Sequence, residues 1–381
     1  MTAPVYLDHH ATTPVDPRVL ARMLPWFTEQ FGNPHSVDHA YGWAAEEAIE
    51  AGRREVAALI QADPREIIFT SGATEANNLA LRGLAPALAA AGRWEIIASP
   101  LEHPCVMACL AALAADGFTV RFLTVGAAGL VDPTEVARQI GPATGLVTIM
   151  AANHEIGTVQ PIEQIGRLAR AAGALFHVDA AQAAGKIPLA LAGIDLMTLS
   201  AHKLYGPKGI GALVIRRPVR SMVTPLILGG GQEQGLRSGT VPVPLAVGFG
   251  AAAALAMAEM AGEAVRLARL RDRLLDRLRA AGLPLQLHGD PVRRLAGNLN
   301  FRIGDVDAEA IIQRVRDRVA LSSGAACASA QRTPSPVLRA IGLGEIEALA
   351  ALRIGLGRGT READIDVAAT ALIEACRDLG T

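Results

Sequence analysis

Leu175-Phe176-His177-Val178-Asp179-Ala180-Ala181-Gln182, followed by Leu196-Met197-Thr198-Leu199-Ser200-Ala201-His202-Lys203, decides the fold of this chain. Each segment opens on a short apolar or β-branched run and closes on polar side chains, the pattern of a buried strand that ends in a functional turn. Working outward, residues 66–70, 95–98, 119–125, 146–150 and 211–215 carry the same kind of run. Helical patterns lie between them, one opening at Thr74 and another over 162–172. Short strands separated by helices imply βαβ units, and so an α/β architecture with a mostly parallel central sheet and helices on both faces.

Near residue 251 the pattern changes. Leu267, Leu270, Leu274 and Leu278 recur at helical spacing among arginines, until Gly282 and Pro284 end the run, which reads as a long amphipathic connecting helix. A strand over 298–303, a helix over 308–319 and a Gly/Ser/Ala-rich stretch over 321–336 follow. These predict a smaller α+β domain. The expected division is a large domain of residues 15–255 and a small one of 1–14 with 256–381, which carries the 321–336 loop.

A chain of 381 residues is long enough for two domains. Hydrophobic residues make up 51% and charged residues 19%, a globular composition. A net charge of −1 with no basic patch argues against nucleic acid as the main partner. The alanine-rich runs 84–91 and 250–258 are too short or too interrupted for a membrane span. Residues 1–14 are polar, with Asp8, His9 and His10, and do not read as a signal peptide. Cys105, Cys109, Cys327 and Cys376 form no dense framework, which predicts reduced thiols and a cytoplasmic location. Cys105 and Cys109 share a helical face, but Val106, Met107 and Leu110 around them favour core packing, so no metal site is expected.

Among 36 basic residues only Lys186, Lys203 and Lys208 are lysines, the rest being arginine. A lysine retained in such a chain points to something a guanidinium cannot do, such as losing its proton and forming a Schiff base with an aldehyde. Lys203 lies after an Asp-ended strand and within Ser200-Ala201-His202-Lys203. Those are the needs of pyridoxal phosphate: Asp179 for the ring nitrogen, Lys203 for the aldehyde, and Ser200 and His202 as phosphate donors. Ser71-Gly72-Ala73-Thr74-Glu75 joins a strand to a helix, so the Ala73 and Thr74 amides and the Thr74 hydroxyl make an anion site. Gln182 is placed to donate to the ring oxygen, and the His103 imidazole to stack on the ring and pass protons. Arg353 has the chemistry to clamp a substrate carboxylate. Cys327 sits in Ser322-Ser323-Gly324-Ala325-Ala326-Cys327-Ala328-Ser329, where small residues leave nothing to bury a thiol against, and it reads as reactive.

With these residues assembled, the chain resembles the cysteine desulfurases that feed iron–sulfur cluster assembly. The likeness runs end to end, through Tyr6-Leu7-Asp8 with Ala11-Thr12-Thr13-Pro14, Gly32-Asn33-Pro34-His35-Ser36, Ser71 to Asn78, Glu102-His103, His177 to Gln182, Ser200 to Lys203 and Arg237-Ser238-Gly239-Thr240. The segment around Cys327, followed by Pro334-Ser335, marks the group with a long cysteine loop. The resemblance implies fold-type I of the pyridoxal phosphate enzymes, and a homodimer in which Thr240 reaches the neighbouring subunit's phosphate. It implies L-cysteine as substrate, with Asn33, His154 and Arg353 on the substrate side and His154 also beside the cofactor. It implies a Cys327 persulfide passed to an acceptor protein such as an iron–sulfur scaffold. The family's Asn-Asn-Glu-x-Gly is here Asn153-His154-Glu155-Ile156-Gly157, and its Arg-x-Ser-Leu-Gly is Arg353-Ile354-Gly355-Leu356-Gly357. Both departures bear on rate or specificity more than on reaction class. A selenocysteine lyase or an aminotransferase of the same fold is the alternative.

Overall fold

The structure is a computed structural model that describes residues 3–323 and 333–380. Cys327 lies outside the described residues. The central sheet contains β1 (Ile67–Thr70), β2 (Glu95–Ala98), β3 (Thr119–Phe122), β4 (Thr144–Thr148), β5 (Leu175–Asp179), β6 (Leu196–Ser200) and β7 (Gly211–Ile215). Their spatial order is β1-β7-β6-β5-β4-β2-β3, and all run in one direction except β7, which pairs antiparallel with β1 and β6.

Apart from the edge strand β3, which is largely exposed, the strands are buried on both faces, which is why they read as continuous apolar or β-branched runs rather than alternating ones. Ile67, Phe69, Val147, Phe176, Val178, Met197 and Val214 face one core, together with α1 (Ala40–Leu59), α4 (Ile162–Ala171) and part of α5 (Val243–Ala280). Ile68, Ile96, Leu146, Leu196, Leu213 and Ile215 face the other, covered by α2 (Ala73–Ala90) and α3 (Pro104–Ala115). A buried ion pair pins the Gly-rich segment after β7 to the sheet: Arg53 grips both oxygens of Glu233, which also accepts from the Phe69 amide at 2.7 Å.

The change of pattern near 251 is not a break. Val243–Ala280 is one helix of 38 residues, and residue 255 falls inside it. Phe249, Ala252, Ala253 and Ala256 pack into the large core, whereas Leu267, Leu270, Leu274 and Leu278 pack into a second one. By length and composition this helix is long and apolar enough to cross a membrane; its burial in the core accounts for the apolar character. The second core also takes in Leu7, α6 (Ala308–Val315), α7 (Glu362–Asp378) and an antiparallel sheet. That sheet is ordered β10-β11-β9-β8, with β8 (Leu285–Leu287), β9 (Asn298–Ile303), β10 (Ser322–Ser323) and β11 (Leu352–Gly355). The helix expected over 308–319 ends at Val315, because Val319 and Ala320 pair with Val5 and Tyr6 instead. Tertiary pairing here overrides local propensity.

Candidate active site

In an open, mostly parallel sheet, ligands gather at the carboxyl ends of the strands. Here β1 ends before Ser71, β5 at Asp179 and β6 at Ser200, and these ends surround a cavity of about 590 Å³. Ala73, Thr74, His103, His154, Asp179, Gln182, Ser200, His202, Lys203 and Arg353 all line it. Asn33 and Thr240 are exposed and do not.

Lys203 follows β6 in a single 3₁₀ turn, so its side chain springs from a rigid strand end. Its Nζ donates to the carbonyl oxygens of His10 at 2.6 Å and Ala11 at 2.8 Å. Burial, reinforced by the nearby Arg353 charge, pulls the ammonium down to about 8. A lysine so poised gives up its proton near neutrality, as an amine nucleophile must.

Asp179 terminates β5 as a buried carboxylate. Oδ1 accepts the Ala181 amide at 2.9 Å and Oδ2 accepts Asn77 Nδ2 at 2.8 Å. Asn77 lies on the first turns of α2, and its role was invisible in the sequence because only the fold brings α2 beside β5. Gly72 precedes α2 with φ of 154°, a backbone that suits glycine, and no side chain caps the helix. The first amides of an α-helix lack intrahelical partners and carry the positive end of its dipole, so this end suits an anion.

His103 caps α3, its Nδ1 accepting the Cys105 amide at 3.2 Å. That bond places the proton of the neutral ring on Nε2. Burial holds this imidazole below its usual range. The His154 ring meets it edge-on at 5.2 Å. His154 is held well below the usual imidazole range by burial, and its Nδ1 is buried without a partner among the described residues. Its Nε2 stands 3.6 Å from Glu155 Oε1. Cys105 packs against the core, as the sequence predicts, and also contacts residues of the site: Sγ is 3.1 Å from His103 Nδ1 and 3.3 Å from Asn77 Nδ2. Burial pushes its thiol up to about 11, that of Cys376 to about 11, and that of Cys109 upward.

Arg353 is partly committed within the chain. Nη2 donates to Asp8 Oδ1 at 2.9 Å and to Ser322 Oγ at 3.2 Å, and Nη1 to the His154 carbonyl at 3.3 Å. Asp8 thus steadies the guanidinium, a contact between segments 345 positions apart that spacing does not reveal. A substrate carboxylate would share this arginine with Asp8.

The donor set suits pyridoxal phosphate. Ser200 Oγ lines the cavity, buried and without a partner among the described residues. It stands with the uncapped N-terminus of α2 as a ready phosphate cradle. Asp179 supplies the carboxylate for a ring nitrogen, and Lys203 the amine for an aldehyde.

Comparison with known proteins agrees with this geometry. A family profile described as aminotransferase class-V matches residues 5–367. A protein named cysteine desulfurase IscS from Anaeromyxobacter sp. (strain Fw109-5) is 49% identical over 381 residues, covering 100% of this chain and 94% of that one. The mitochondrial cysteine desulfurase of Drosophila melanogaster is 49% identical over 373 residues, covering 97% of this chain and 80% of the relative. Among solved structures, one titled NifS-like protein superposes with a TM-score of 0.92 at 34% identity, over 99% of this chain and 100% of that one. Another, titled SspA in complex with cysteine, gives 0.81 at 38% identity, over 93% and 99%.

Proposed function

The chain belongs to the aminotransferase class-V family, and from that premise we infer that it is a pyridoxal-phosphate-dependent cysteine desulfurase, converting L-cysteine to L-alanine and passing the sulfur on for iron–sulfur cluster assembly. The observation that carries the reading is the meeting of Lys203, Asp179, His103 and the uncapped end of α2 on one cavity, in a chain half identical from end to end to desulfurases.

When bound, the cofactor supplies an electron sink for bonds at the substrate's Cα and Cβ. The protein's own groups do the rest. Asp179 holds a proton on the ring nitrogen, with Asn77 and the Ala181 amide fixing its two oxygens. Lys203 Nζ, released from covalent attachment, takes the Cα proton, a task suited to an amine held near 8. His103 Nε2 is the matching donor on the ring side. Arg353, steadied by Asp8, orients the substrate carboxylate. The Cys327 thiolate then bonds to the substrate sulfur as the Cβ–S bond breaks. The electron pair of that bond stays with the substrate carbon, which takes up a proton. Alanine leaves, and the sulfur stays as a persulfide on Cys327.

Product analysis tests the reaction class. With L-cysteine and a reducing acceptor, alanine and sulfide should appear in equal amounts. A keto acid in place of alanine would make the protein an aminotransferase, and strong preference for selenocysteine would make it a lyase of that amino acid.

The reading extends to a homodimer with shared sites. Its support is that Thr240 is exposed and outside its own chain's cavity, although the resemblance assigns it to a phosphate. Mixing inactive Lys203→Ala with inactive Thr240→Ala chains should then restore activity, because one site of each hybrid dimer keeps both residues. Hybrids that form and stay inactive would rule out sharing.

A further inference from the structure

Lys186 is one of only three lysines in the chain, and the steps above make no use of it. It does not line the site cavity. It lines a separate narrow cavity of about 30 Å³ that shares His10 and Lys203 with the site. Its Nζ donates to Gln182 Oε1 at 2.9 Å. The same oxygen stands 3.3 Å from His10 Nδ1, and the other end of the amide, Nε2, donates to the His10 carbonyl oxygen at 2.8 Å.

An ammonium only donates, and an amide nitrogen carries two hydrogens. A flipped Gln182 would set its NH₂ against the Lys186 donor and its oxygen against a carbonyl oxygen, so the observed orientation is the only one that satisfies both neighbours. In that orientation one Nε2 hydrogen is used on His10, and the second remains for the site cavity that Gln182 lines.

We propose that Lys186 is a positioning residue: by holding Gln182 Oε1 it locks the amide with an N–H turned to the ring oxygen of the cofactor, and it strengthens that donor by polarising the amide. The role rests on the pyridoxal phosphate reading above.

The groups around Lys186 favour this use. Burial and the charges of Lys203 and Arg353 pull its ammonium down to about 7, with Glu263 of α5 opposing them. His9 and His10, from the N-terminal segment, are themselves held below the usual imidazole range by burial. Tyr205 is held above its usual value, and Arg358 is committed to Asp16 and Glu263. Charged or neutral, Nζ keeps hydrogens to donate, so the amide stays oriented across neutral pH.

The test is a pH titration of the visible absorption band of the holoenzyme. A ring oxygen that loses an external donor holds the proton of the adjacent nitrogen more tightly. In Lys186→Met, which has reach but no donor, the midpoint should therefore rise by about one pH unit. Lys186→Ala is the second donorless variant and should shift the same way if the methionine does not fold. Lys186→Arg keeps a donor and should titrate near wild type. In a Gln182→Leu background, Lys186→Met should add no further shift, because the two act through one amide. An unchanged midpoint in the donorless variants overturns the proposal, and so does a full added shift in the Gln182→Leu background, which would mean bare charge acting directly. The two readings separate in the wild type. A protein that takes up no pyridoxal phosphate refutes the cofactor reading, whereas a normal wild-type titration beside insensitive Lys186 variants refutes only the role of Lys186.

Discussion

Lys203→Ala should yield a folded protein with no covalently held cofactor and almost no turnover of cysteine. The side chain leaves from a turn at the end of β6 and spends its hydrogen bonds on the carbonyls of His10 and Ala11, so its removal leaves no partner charge stranded in the core. Loss of the proton-transfer group alone should lower turnover by on the order of 10²–10⁴-fold, and loss of the attachment point adds to that. Lys208 also lines the cavity, but it is exposed. Borohydride reduction and peptide mapping of the wild type should therefore place the pyridoxyl group on Lys203. Label on Lys208 or Lys186 would show that the site has been assigned to the wrong lysine.

Cys327→Ser should separate binding from sulfur transfer. Neither cofactor attachment at Lys203 nor capture of the substrate amine uses the thiol, so the variant should stay yellow and change its spectrum when cysteine is added. Alanine production should fall by several orders of magnitude, because a serine hydroxyl is a poor nucleophile at neutral pH. The other thiols are unfit to replace it. Cys109 and Cys376 are buried, and burial holds Cys105 and Cys376 near 11. Rapid alkylation at neutral pH should accordingly fall on Cys327 first. A Cys327→Ser enzyme that makes alanine at the wild-type rate would mean sulfur leaves without a covalent carrier.

The sheet was legible because its inner strands are buried on both faces. Runs such as 146–150 and 211–215 are buried and almost wholly apolar, and Asp179 and Ser200 mark where β5 and β6 emerge at the site. Asp179 and Lys203 could be picked out for that reason, with the scarcity of lysine sharpening the second. What stayed hidden depends on neighbours that only folding supplies. Asn77 looks like any polar helix residue until α2 lies beside β5. Asp8 gives no sign of steadying Arg353, far along the chain. Cys105 has apolar companions that do pack in the core, but it occupies the first turn of α3, where the chain passes the site, and periodicity describes a helix's faces and not its ends. The leucine repeat showed only the second half of α5, because its first half is alanine-rich and packs into the other core. Asn33 and Thr240 belong to motifs that the resemblance assigns to the site, yet in a single chain both stand at the surface.

Sulfur should leave cysteine by way of Cys327. The most direct measurement is to mix the holoenzyme with about one equivalent of L-cysteine without reductant, block free thiols, and weigh the cysteine-containing peptides by mass spectrometry while counting alanine. One extra sulfur atom is expected on the Cys327 peptide, in proportion to the alanine formed, and none on the peptides of Cys105, Cys109 or Cys376. Alanine formed with the extra sulfur on another cysteine, or with free sulfide and no sulfur on the protein, would contradict that route.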